Sequence, residues 1–168
     1  CEVTLAVVVI AGMGEAAGKT ALACGLSAHF SDQGKRVAYA AVGPQAQEHA
    51  DFVQRALGLP AAAVAAAADP TALAVPPADI TFVEFAGTHP VAGAASALGG
   101  RLLLLVRYQQ RLTAREIIDP VGDQCAVLAG VLVNAVPARC IFPLREAMDR
   151  CWRRRAYGCS AWFPRNGR

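Results

Sequence analysis

"IAGMGEAAGKTALACGL" runs from Ile10 to Leu26. Its Gly18-Lys19-Thr20 is how a phosphate-binding loop ends. The usual spacing, G-x-x-x-x-G-K-[ST], is not met, because the residue five before Gly18 is Met13, with Gly12 and Gly14 on either side. Counted from Gly12, the stretch is G-x-x-x-x-x-G-K-T, with five intervening residues. The competing reading is a glycine-rich turn that ends in an exposed lysine. The flanks decide between them. Before the loop, "VTLAVVVIA" (3–11) is a continuous, β-branched run of the kind buried on both faces of a sheet. After it, residues 19–33 read as a helix, with Leu22, Leu26 and Phe30 at i, i+4 and i+8. Gly34 stands where a helix C-terminal glycine belongs. Strand, glycine-rich loop and helix in that order is the setting a phosphate-binding loop requires.

A phosphate group needs convergent backbone N–H groups, a helix N-terminus and a cation. Gly12, Gly14 and Gly18 let the backbone curl and approach. The expected nucleotide-binding set is Gly12, Gly14, Glu15, Ala16, Ala17, Gly18, Lys19, Thr20 and Ala21. Lys19 is expected to reach the outer phosphates, and Thr20 to offer its hydroxyl to Mg²⁺. Lys19 and Lys35 are the only lysines, so a lysine inside G-K-T is poorly explained as a random surface residue.

The 168 residues favour one domain with a sizeable core. The chain is 55% hydrophobic and 17% charged, with a net charge of +3 that does not by itself imply nucleic acid. No apolar run reaches the length of a membrane-spanning helix, and Val3–Ala11 lacks the basic flank of a signal peptide. The six cysteines form no C-x-x-C pair and read as reduced thiols, so a cytoplasmic location is expected. No zinc spacing and no G-x-S-x-G is present. The run "RCWRRR" (150–155) reads as a solvated helix end rather than a nucleic-acid contact.

Strands and helices alternate along the rest of the chain. "RVAYAAV" (36–42), "DITFVEFA" (79–86), "LLLLV" (102–106), "AVLAGVLVN" (126–134) and "CSAWF" (159–163) read as further strands. Helices are predicted over 47–59, with Phe52, Val53, Ala56 and Leu57 on one face, and over 142–158. A helix start is predicted at 112–118, where Thr113 and Glu116 have capping-box spacing. Residues 60–78, rich in alanine and bounded by prolines, read as a mixed loop with one short helix. The expected fold is α/β: a three-layer α/β/α sandwich with a mainly parallel sheet of about six strands. In such sheets ligands bind at the C-terminal ends of the strands. Glu84, near the end of the third strand, is then a candidate metal-binding carboxylate beside Thr20, and Asn134 a candidate base-reading amide.

The five-spacer loop resembles that of the dethiobiotin synthetase group of P-loop proteins, which includes the cobyrinic acid synthetases. Further stretches resemble the same group: "GKRVAYAAVGP", "ADITFVEFAGTHP", "LLLLVRYQQ", "GVLVNAVP" and "AYGCSAWFPRNGR". Together they cover nearly the whole chain and lie closest to the phosphotransacetylase N-terminal-like ATPase domains, often joined to a DRTGG domain. The resemblance implies ATP and Mg²⁺ as ligands, Lys19 and Glu84 as catalytic, Thr20 and Glu84 on the metal, and Asn134 on the base. A single nucleotide-binding domain over 1–168, either free-standing or the N-terminal part of a longer protein, and a homodimer are both compatible with it.

The departures from that pattern fall on the chemical side of the site. The second-strand lysine of the group is replaced by Ala41, followed by Val42 and Gly43. The metal-binding Asp at the start of the second helix is replaced by His49, with Glu48 and Asp51 nearby. The glycine after the strand-three Glu is Phe85, whose bulk is expected to crowd a phosphate. His89 falls at the catalytic edge and His29 inside the first helix. Three functions stay open: a Mg·ATP-binding regulatory or weakly hydrolytic domain, an ATP-dependent ligase acting on a small acid, and an inactive partner-binding module.

Overall fold

The computed structural model describes residues 6–13, 16–85, 91–109, 113, 116 and 127–156. The apolar run before the loop forms β1 (Ala6–Met13), and α1 (Lys19–Asp32) follows the loop. Gly34, at φ +75°, ends α1 as expected. Its N–H donates to Ser31 O and the Lys35 N–H to Phe30 O, a pair of bonds that satisfies the last carbonyls of the helix. Next come β2 (Val37–Val42), α2 (Ala46–Leu57), β3 (Val64–Ala67), β4 (Ile80–Phe85), α3 (Val91–Ala97), β5 (Arg101–Arg107), β6 (Leu128–Asn134) and α4 (Ala138–Ala156).

The strands form one all-parallel sheet in the order β3-β2-β4-β1-β5-β6. Alternate side chains feed two cores. On one face Ile10, Tyr39, Ala41 and Phe82 pack with Ala23 of α1 and with Ala46, Ala50 and Val53 of α2. On the other, Val9, Val42, Val83, Phe85 and Leu104 pack with Ala95 of α3, and Met148 of α4 joins at the margin. This is the expected three-layer α/β/α sandwich. From β1 the chain runs outward through β2 to β3 under α1 and α2, then back through β4 and across to β5 by α3. The direction thus reverses around β1, the place where such sheets hold ligands.

Several elements differ from expectation. The alanine-rich segment holds two single turns of 3₁₀ helix, at Ala61–Ala63 and Pro70–Ala72, and between them the edge strand β3. That strand is held by backbone pairing to β2, which an alanine composition does not advertise. α3 is not legible in the sequence, since "VAGAASA" lacks the large apolar residues that mark a helix face. In α2 the buried stripe is Ala46, Ala50 and Val53, while Phe52 is 53% exposed and Ala56 is exposed. Small residues let α2 approach the sheet closely, and the large aromatic lies outside. α4 begins four residues earlier than expected and runs through Pro143. Thr113 and Glu116 do form the reciprocal capping bonds, Thr113 N to Glu116 Oε2 at 2.8 Å and Glu116 N to Thr113 Oγ1 at 3.3 Å. The strand expected at 159–163 lies outside the described residues. Among the described residues no helix is long and apolar enough to cross a membrane.

Candidate functional site

The loop leaves β1 beside Gly12 and returns at Gly18, the residue that caps α1. Gly18 sits at φ +92°, a conformation glycine adopts without strain, and Ala16 at φ +51°. Gly18 offers no side-chain cap, so the first-turn N–H groups of α1, those of Lys19, Thr20 and Ala21, have no helix-internal acceptor. The Lys19 stem lies across Gly12. A Cβ on Gly12 would meet Lys19 Cδ at 3.0 Å and Ala17 Cβ at 3.2 Å. Gly12 therefore makes room for the lysine to fold back over the loop. Ala17 is fully buried, Ala16 and Ala21 are exposed, and Gly14 and Glu15 lie outside the described residues.

Glu84 is fully buried at the end of β4, on the sheet face that carries α1 and α2. Thr20 Oγ1 donates to its Oε1 at 2.8 Å, and the Tyr39 hydroxyl donates to Oε2 at 2.7 Å. His49 Nδ1, at the end of the first turn of α2, lies 3.1 Å from the same Oε1 and 3.4 Å from Thr20 Oγ1. A buried carboxylate demands partners, and this one has donors on both oxygens. Its charge is felt nearby. Burial, then the Glu84 charge and hydrogen bond, push the Tyr39 phenol well above its ordinary value. Burial, then Glu84, push the Cys24 thiol up as well.

Lys19, Thr20, Glu84 and Gly18 thus meet at the C-terminal edge of the sheet, as the sequence predicts. Asn134, at the end of β6, meets them too, through the loop. Its Nδ2 donates to Ala17 O at 3.2 Å and its Oδ1 accepts from Ala135 N at 2.7 Å. The same Nδ2 stands 3.0 Å from where a Cβ on Gly18 would be. The amide expected to read a base is here engaged in bracing the loop against β6.

Among the three acidic or basic stand-ins at α2, His49 is the one that reaches Glu84. Glu48 is exposed, and Asp51 accepts from Gln47 at 2.8 Å on the outer face. Ala41 is fully buried and pairs in register with Glu84, so no cation replaces the expected lysine there. Phe85 does not crowd this site. Neighbouring residues of a strand point to opposite faces, and the Phe85 ring is buried with Val9, Val42, Val83 and Ala95 on the α3 side. His89 lies outside the described residues, and His29 is exposed beside Gln33. Tyr39 was missed. The available signal was a phenol in the middle of a strand buried on both faces, where its hydroxyl must find a partner.

The donors fit a divalent cation: a carboxylate, a hydroxyl and an imidazole at one point, beside a helix N-terminus suited to phosphate. Among the described residues no three His, Cys, Asp or Glu side chains cluster as a self-sufficient metal cage. A cation here would depend on phosphate oxygens to complete its shell. No family model matches this chain, and no curated protein matches it.

Proposed function

We propose that this chain is a P-loop domain that binds Mg²⁺·ATP in a regulatory or weakly hydrolytic role, similar to the dethiobiotin synthetase group and its phosphotransacetylase N-terminal-like members. The observation that carries the reading is a conjunction. A left-handed glycine opens α1, Lys19 folds over Gly12, and Thr20 is hydrogen-bonded to a buried strand-end carboxylate.

In this reading the unsatisfied N–H groups at the start of α1 cradle the β-phosphate, and Lys19 neutralises the β- and γ-phosphate oxygens. Thr20 and Glu84 hold the cation, which when bound offsets charge on the β- and γ-phosphate oxygens. Tyr39 keeps Glu84 from rotating by occupying its second oxygen. Weak turnover follows from the same face of the sheet. Phosphoryl transfer is accelerated by positioned charge, and the β2 residue in register with Glu84 is Ala41. The ligase alternative requires a cation at that position. A homodimer remains compatible, and neither membrane nor nucleic acid is an expected partner.

Titration calorimetry with Mg²⁺·ATP and Mg²⁺·ADP tests this. Binding is expected, and Lys19→Ala should weaken it by roughly tenfold to a hundredfold, the worth of a charge-assisted contact. Absence of heat up to millimolar nucleotide would sink the reading in favour of a partner-binding module. Affinity unchanged by Lys19→Ala would remove the phosphates from this loop.

A further inference from the structure

We infer that the cation position beside Thr20 is built for a first-row transition-metal dication, with His49 Nδ1 as a ligand, so that the chain prefers a transition-metal complex of the nucleotide to the Mg²⁺ complex. This rests on the nucleotide reading above and goes beyond it by naming the metal class.

The geometry is a triangle of donor atoms. Thr20 Oγ1, Glu84 Oε1 and His49 Nδ1 are separated by 2.8, 3.1 and 3.4 Å. Three ligands on one face of an octahedron, each about 2.1 Å from the metal, lie about 3 Å apart. The side chains thus already stand at the spacing of an octahedral face. The opposite face is left for phosphate oxygens and water. Tyr39 holds Glu84 Oε2 at 2.7 Å, so Glu84 presents one oxygen only. That disfavours Ca²⁺, which takes larger shells and often both oxygens of a carboxylate.

The choice of metal follows from the nitrogen. Mg²⁺ is hard and favours oxygen, whereas imidazole suits later first-row cations, whose affinity rises from Mn²⁺ towards Cu²⁺. The His49 side chain is 26% exposed, so its ring borders the solvent while Nδ1 faces inward. With a metal on Nδ1 the ring proton is carried by Nε2. Neither Glu48 nor Asp51 offers an oxygen in its place, since Glu48 is exposed and Asp51 accepts from Gln47 on the outer face.

The test compares Co²⁺·ATP with Mg²⁺·ATP by calorimetry, in the wild type and in His49→Asp. The wild type is expected to bind the Co²⁺ complex at least about tenfold tighter, and His49→Asp to reduce that ratio below about threefold by strengthening Mg²⁺. Electron spin-echo spectroscopy of Mn²⁺·ATP on protein with ¹⁵N-labelled histidine gives a readout independent of affinity. A histidine nitrogen coupling is expected in the wild type and absent in His49→Asp. If both complexes bind with a ratio that His49→Asp leaves unchanged, and no histidine coupling is seen, the inference fails while the nucleotide reading stands. If neither complex binds, both fail together.

Discussion

Glu84 sets the chemistry of its neighbours because its charge has been taken out of water. The Tyr39 hydroxyl donates to it at 2.7 Å, and both groups are fully buried. Burial and that carboxylate raise the phenol's pKa in the folded chain. A group raised on folding stabilises the fold below its unfolded pKa, about 10 for a phenol, and loses that contribution as pH climbs beyond it. Tyr39→Phe removes the hydroxyl and leaves Glu84 Oε2 without its donor. At pH 8 the variant is expected to be about 1–3 kcal/mol less stable. Above about pH 10 the gap should narrow, by up to 1.4 kcal/mol per pH unit, since only the wild type then pays for the buried phenol's proton. Denaturant unfolding at pH 8, 9, 10 and 11 reads this directly. A deficit constant across the series would mean that the phenol ionises as freely folded as unfolded.

At the scale of elements, sequence reading succeeds where side chains are large or conformations special, and fails where alanine fills the space. β1, α1 and the Gly34 ending were legible because β-branched runs, a Leu22–Leu26–Phe30 stripe and a left-handed glycine each have few alternatives. β3, α3 and the buried face of α2 were not, because Ala46, Ala50 and the β3 alanines are placed by neighbours rather than by their own preference. The site divided in the same way. Glu84 and Thr20 were legible from position, but the Tyr39 and Asn134 contacts depend on strand register across 45 and 117 residues. The Asn134 contact joins two elements, the start of α1 and the end of β6, and that joint is testable. Gly18→Ala is expected to cost about 1–2 kcal/mol from its left-handed backbone, plus the displacement of Asn134 by the new Cβ. In an Asn134→Ala background the second part vanishes. A double-mutant cycle by denaturant unfolding should therefore show the pair losing less than the sum of the singles, by about 0.5–1 kcal/mol. Strict additivity would show that the amide and the loop are not coupled.

At the scale of the molecule, the site residues are scattered from Gly12 to Asn134, yet the parallel order β3-β2-β4-β1-β5-β6 brings their strand ends to one edge. A nucleotide held there, as proposed, would touch α1, α2, β4 and, through Asn134 and the loop, β6. It would therefore bind the folded chain and find no such site in the unfolded one. Mass action then applies to the whole fold: nucleotide at a hundred times its dissociation constant adds about 2.7 kcal/mol of stability. For a domain of this size each kcal/mol moves Tm by about 2–4 °C, so the shift should be about 5–10 °C. Lys19→Ala separates this from a nonspecific effect. Lys19 packs its stem over Gly12 but has no role in either core, so the unliganded variant should melt within about 2 °C of the wild type. At the same nucleotide concentration its shift should fall to about half for a tenfold loss of affinity and to about a sixth for a hundredfold loss, which leaves the ligand near its dissociation constant. A scaffold whose loop merely retains the form of a phosphate site would show no shift in either protein. Equal shifts in both would mean that the nucleotide binds the fold elsewhere than at the start of α1.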